Sequence, residues 1–175
     1  MYKNLDEMRN NGIALANYFV DKSISEDIKI YQFGLMKRVY ITHGFCLASL
    51  DRGALDPRFD VVEAWENGPV IPSVYHSFKH NGNNKITTKS YFVTEIDRDG
   101  KLEFVTPVLK DEEIKEVADF VWTRYINCSD FELVKLTHRK GTPWSLCYRK
   151  GENRQIPDLY TKAFYKKLIR SWEEN

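Results

Sequence analysis

The sequence predicts a mainly α fold: a compact helical domain with one inserted antiparallel β-hairpin. Three observations carry that reading. Apolar residues recur at three- and four-residue steps through the first fifty residues and again from 111 to 172. Only between Phe92 and Val105 does the period change to two, around an Asp99-Gly100 turn. The 175 residues, 42% of them hydrophobic, suffice for one core without disulfides or metal, and read as a single domain over 1–175.

The elements follow in order. Leu5, Met8, Leu15, Ala16 and Phe19 share one face of an amphipathic helix that ends near Asp21 or Lys22. Leu35, Met36, Val39, Tyr40, His43 and Leu47 cover a broad apolar face, which makes the second helix the centre of the core, and Gly53 ends it. Phe59, Val61 and Val62 form a short extended or irregular piece. Next comes the most unusual window of the chain, Trp65 to Gly82. Gly68 tolerates a positive φ, Pro69 fixes its own φ and pushes Gly68 out of the helical region, so Asn67 to Val70 is expected to be a rigid, sharply bent turn. Pro72 suits the first position of a helix carrying Val74, Tyr75 and Phe78, and Asn81-Gly82 stops it.

The β-hairpin pairs the run Phe92 to Ile96 with Leu102 to Val105, and Pro107 closes it. Asp111 caps a helix with Glu112 and Glu113 in its first turn and Ile114, Val117, Ala118, Val121 and Trp122 as its stripe. Ser129 and Glu132 form a capping box for another, running to about Gly141. Thr142-Pro143-Trp144 is a second rigid corner. The last helix opens at Pro157-Asp158 and carries Leu159, Ala163, Phe164, Leu168, Ile169 and Trp172.

Charge narrows the function classes. A net charge of +1 argues against nucleic-acid binding through bulk charge. The distribution is uneven, with nine acids to four bases over 95–119 and six bases to one acid over 135–154. That basic run, interleaved with Trp144 and Tyr148, defines a second reading as a nucleic-acid-binding accessory protein. Cys46, Cys128 and Cys147 are odd in number and form no CxxC pair, which fits a reducing compartment. With no apolar run of signal-peptide or membrane-crossing length, the expected location is cytoplasmic, with no membrane partner.

Candidate chemistry is sparse. His76 and His80 stand four apart on the expected helix, which would aim both imidazoles one way, but no third ligand has diagnostic spacing. His138 and Cys147 are a nominal base and nucleophile. A metal- or cysteine-dependent hydrolase is therefore the least supported reading, and the expectation is no enzyme, no catalytic residue, no metal and no cofactor. Trp65, Tyr75 and Trp144, with Asn67, Gly68, Pro69 and Val70 between the first two, are the candidate partner-binding residues, because Trp and Tyr dominate interface hot spots. The competing reading packs the same rings onto the core.

Three segments together resemble the Panacea domain, a family of phage- and mobile-element-associated proteins that includes SocA-like antitoxins. They are Leu35-Met36-Lys37-Arg38-Val39-Tyr40-Ile41-Thr42-His43-Gly44; Ala64-Trp65-Glu66-Asn67-Gly68-Pro69-Val70 with Val74-Tyr75 and Phe78; and Ser129 to His138 with Pro143-Trp144. Asn67 and Arg38 depart from the family's usual residues. The resemblance implies a mostly helical domain that neutralises a cognate protein toxin by direct binding and without a cofactor; the expectation leaves a monomer and a homodimer both open.

Overall fold

The computed structural model describes residues 11–94 and 102–174. Seven α-helices and five short strands follow one another along these residues. Helix α1 (Gly12–Ser25) opens under Asn11, whose side chain accepts from the Ala14 N–H at 2.7 Å. It runs three or four residues past the expected end, and Asp27 follows its cap with φ of 53°. Leu5 and Met8 of the expected helix lie outside the described residues.

Helix α2 (Gln32–Ser49) is the centre of the molecule. Every residue from Gly34 to Leu47 is buried, because α1, α4 (Glu112–Tyr125), α5 (Asp130–His138) and α7 (Asp158–Glu173) all pack against it. The sequence suggests one broad apolar face; the structure buries the whole circumference, charged residues included. Each buried polar side chain therefore needs a partner. Thr42 donates to the Arg38 carbonyl at 2.8 Å. His43 accepts the Leu55 N–H at Nδ1, 3.4 Å away, so its Nε2 carries the proton given to Asp158 at 2.9 Å. At Gly44 the Tyr165 ring of α7 lies directly on the helix, where any Cβ would collide with it.

Capping residues set the other helices much as expected. Asp111 accepts from the Ile114 N–H at 3.1 Å, and Arg52 bridges Asp111 and Glu113 at 2.9 and 2.6 Å. Ser129 and Glu132 form the full capping box. Helix α5 stops at His138, three residues short of Gly141. The second corner is a five-residue helix, α6 (Pro143–Cys147), capped by Thr142. Strands β3 (Phe92–Thr94) and β4 (Glu103–Val105) make the expected hairpin, Phe92 opposite Val105 and Thr94 opposite Glu103. Ile96 and the Asp99-Gly100 turn lie outside the described residues.

The corner at Trp65 differs from the expectation. It is a β-hairpin rather than a bend over Asn67 to Val70: β1 (Glu63–Trp65) pairs with β2 (Gly68–Val70), and Glu66-Asn67 is the two-residue turn. Gly68, at φ +100°, is the first residue of the returning strand. Pro69, which has no N–H to donate, is tolerated because β2 is an edge of the sheet β2-β1-β5. Strand β5 (Arg154–Gln155) completes that sheet; two residues carry no readable period. Helix α3 (Pro72–Phe78) follows at once with Pro72 in its first turn. It passes into a 3-10 turn, Lys79–Asn81, so His76 and His80 do not share a helix.

Gly68 shows how tightly the hairpin sits. A Cβ there would lie 3.1 Å from Lys37 Nζ and 3.3 Å from its Cε, on a backbone conformation that L side chains avoid. Gly82, also at positive φ, has nothing within 4 Å. Gly68→Ala is expected to lower stability by about 2–3 kcal/mol and Gly82→Ala by about 1 kcal/mol. Urea unfolding of the two variants checks this; equal losses would mean that the Lys37 contact contributes nothing.

Candidate protein-binding site

Three side chains hold the hairpin by its backbone carbonyls. Lys37 Nζ of α2 donates to the Pro69 carbonyl at 2.8 Å, His138 Nε2 at the end of α5 donates to the Glu66 carbonyl at 2.9 Å, and Trp144 Nε1 of α6 donates to the Trp65 carbonyl at 2.7 Å. The Ile71 N–H points at Met36 Sδ, 3.3 Å away. The Trp144 ring stacks on Tyr148 at 4.6 Å and lies against His138 at 3.6 Å. His138 joins the end of α5 to both corners, by its hydrogen bond to the first and its ring contact with the second, while Thr137 donates back into its own helix, to Leu133 and Val134. Thus the three segments that carry the resemblance meet in one place, with α2, α5 and α6 gripping β1 and β2.

The seven candidate residues divide by exposure. Gly68, Pro69, Val70 and Trp144 are buried and shape the platform. Trp65 and Tyr75 are half-buried and meet edge to face, ring centroids 5.0 Å apart, while Asn67 at the turn is exposed. Trp65 Nε1 donates to Glu63 at 2.6 Å, which orients its ring. Beside the pair runs a groove of about 220 Å³ lined by Phe33, Met36, Lys37, Asn67, Val70 and the two rings. Phe33, 48% exposed, is a member that no sequence motif marks. Lys37 did leave a signal, a charge inside an apolar run with no polar face.

Lys37 is fully buried, and burial pushes its ammonium from 10.5 down to about 7. Between these values the unfolded chain binds a proton that the folded chain does not, so stability rises with pH. The contribution is complete above the unfolded value and is lost as pH falls through about 7. Its slope approaches about 1.4 kcal/mol per pH unit. Cys46 and Cys147, whose thiols burial pushes up, act in the opposite direction only at higher pH. Denaturant midpoints are therefore expected to climb from pH 7 to 8.5, and Lys37→Met to flatten the climb; an equal climb in the variant would assign it to another group.

Catalytic chemistry finds little support in these positions. Cys147 is 8% exposed with its thiol pushed up by burial, and the ring nitrogen of His138 is committed to the Glu66 carbonyl. Among the described residues no cluster of His, Cys, Asp and Glu could hold a metal ion, and no helix is long and apolar enough to cross a membrane. Of the basic run, Arg154 pairs with Glu152 at 2.5 Å, and the Trp144 ring is too buried to stack on a base.

The fold and the pinned corner together define a mainly α domain that displays a β-hairpin flanked by an aromatic pair. The sequence profile described as "Antitoxin SocA-like, Panacea domain" matches residues 35–145, a span that begins inside α2 and ends in α6, and the chain belongs to this family. It is similar to the protein named Antitoxin SocA of Caulobacter vibrioides (strain NA1000 / CB15N), with 32% identity over 135 residues that cover 76% of this chain and 68% of that protein. No solved structure matches it.

Proposed function

We propose that this chain is an antitoxin of a phage or mobile element that acts in the cytoplasm, neutralising a cognate protein toxin by direct binding. The observation that carries the reading is the pinned hairpin. Three buried or half-buried donors hold its backbone, while Trp65, Tyr75 and Asn67 keep solvent-facing surface beside a groove. A rigid corner loses little entropy on binding, and two large rings bury much area for few rotamers. Occlusion of this kind needs no chemistry and no cofactor. The exposed bases at Arg139, Lys140, Arg149 and Lys150 steer an acidic partner or form its rim.

The test is co-expression with the product of the adjacent reading frame. Growth arrest by that product alone, relief by this chain, and recovery of a complex of fixed stoichiometry are the expected results. A toxic neighbour whose effect persists without any complex would reject the reading. Binding of DNA or RNA that falls steeply with ionic strength would favour the nucleic-acid reading instead.

A further inference from the structure

A second cavity, of about 470 Å³, opens next to the Trp65–Tyr75 groove and shares Gln32 and Phe33 with it. It lies between the start of α2 and the α4–α5 connection. Its rim is aromatic: Tyr31, Phe33 and Phe131 are 37%, 48% and 69% exposed. Arg38 lines it and is itself only 4% exposed.

The bonds of Arg38 leave its charge incompletely met. One terminal nitrogen, Nη2, donates to the Tyr125 carbonyl at 3.1 Å, and the guanidinium lies 5.6 Å from the Trp122 ring centroid. Its Nε is buried and has no partner among the described residues. Asp130, the acid facing it, gives an oxygen to the Gly34 N–H at 2.9 Å and makes no ion pair with Arg38 among the described residues. Lys29 also lines the cavity, and the Lys135 ammonium sits over the Phe131 ring at 5.3 Å. Three cations, Arg38, Lys29 and Lys135, thus outnumber two acids, Asp130 and the exposed Glu132, which accepts from Ser129. A buried guanidinium edge with an unused donor favours a planar acceptor of opposite charge.

We propose that this cavity is a carboxylate pocket: it takes an Asp or Glu side chain of a protein partner, with an adjoining aromatic or large aliphatic residue laid on Phe33 and Phe131. The protein source rests on the antitoxin reading, since the pocket continues the groove assigned to the toxin. Occupation would set a carboxylate against the Arg38 guanidinium that lines the cavity and balance its charge.

The Arg38 Nε–H resonance of the full chain reads this directly without any substitution. Titration with 3-phenylpropionate is expected to shift that resonance, and 3-phenylpropionamide to bind at least about tenfold more weakly, because it lacks the charge. Phe131→Ala, at an exposed position, weakens the carboxylate and leaves the fold intact. An unmoved Arg38 resonance, or equal binding of acid and amide, would overturn the pocket. The two readings fail separately. A complex that protects growth but leaves the Arg38 resonance unmoved overturns the pocket and keeps the antitoxin. Carboxylate binding at Arg38 in a chain that neutralises no toxin supports the pocket chemistry and removes the antitoxin.

Discussion

Trp144→Ala is expected to destabilise the chain by about 3–5 kcal/mol, the usual cost of deleting a buried Trp. The indole is 8% exposed, stacks on Tyr148 and lies against His138, and its Nε1 satisfies the Trp65 carbonyl at 2.7 Å. Truncation removes the packing and leaves that carbonyl without its donor. Against a typical total of about 5–15 kcal/mol, the loss is enough to unfold a marginal protein. Trp144→Phe separates the two effects. It keeps a ring but loses the donor, and about 1–2 kcal/mol should go. Urea unfolding of both variants decides the matter: a Phe variant as stable as the parent would show that the clamp on Trp65 contributes nothing and that packing alone fixes the corner.

Trp65→Ala is expected to do the reverse, sparing the fold and weakening the toxin complex about 30-fold or more, which corresponds to about 2 kcal/mol. The side chain is half-buried, and the bonds that pin the hairpin use its backbone rather than its ring, so Lys37, His138 and Trp144 retain their acceptors in the variant. Tyr75→Ala should weaken binding as well. The two losses will not add, because the rings touch at 5.0 Å and removal of either loosens the other. Calorimetric titration measures the affinities, with circular dichroism to show that each variant is folded. A folded Trp65→Ala that binds with parental affinity would place the toxin elsewhere on the surface.

How far the sequence could be read depended on how local each signal was. The caps at Asp111 and Ser129 and the Pro at the start of α3 are local chemistry, and the helices begin where those residues say. The Trp65 hairpin was legible as a rigid corner but not as a hairpin, since strands of three residues are too short to display alternation. Lys37 and Arg38 stand inside an apolar run, off the one broad apolar face that the sequence suggests for α2. They are buried because α5, α7 and the sheet close over every face of α2, which only the tertiary arrangement reveals. Phe33 and Phe131 interrupt no pattern, and an exposed aromatic residue is unremarkable until its neighbours are known.

The measurement that reaches the central claim most directly is amide hydrogen exchange of the chain alone and in complex with the toxin. Protection concentrated at Trp65 to Asn67 and in the first turns of α2 and α3 is the predicted result, because these segments carry Trp65, Phe33 and Tyr75. A complex whose protection is confined to the basic segment 139–154, with the Trp65 hairpin exchanging as in the free chain, would contradict the account.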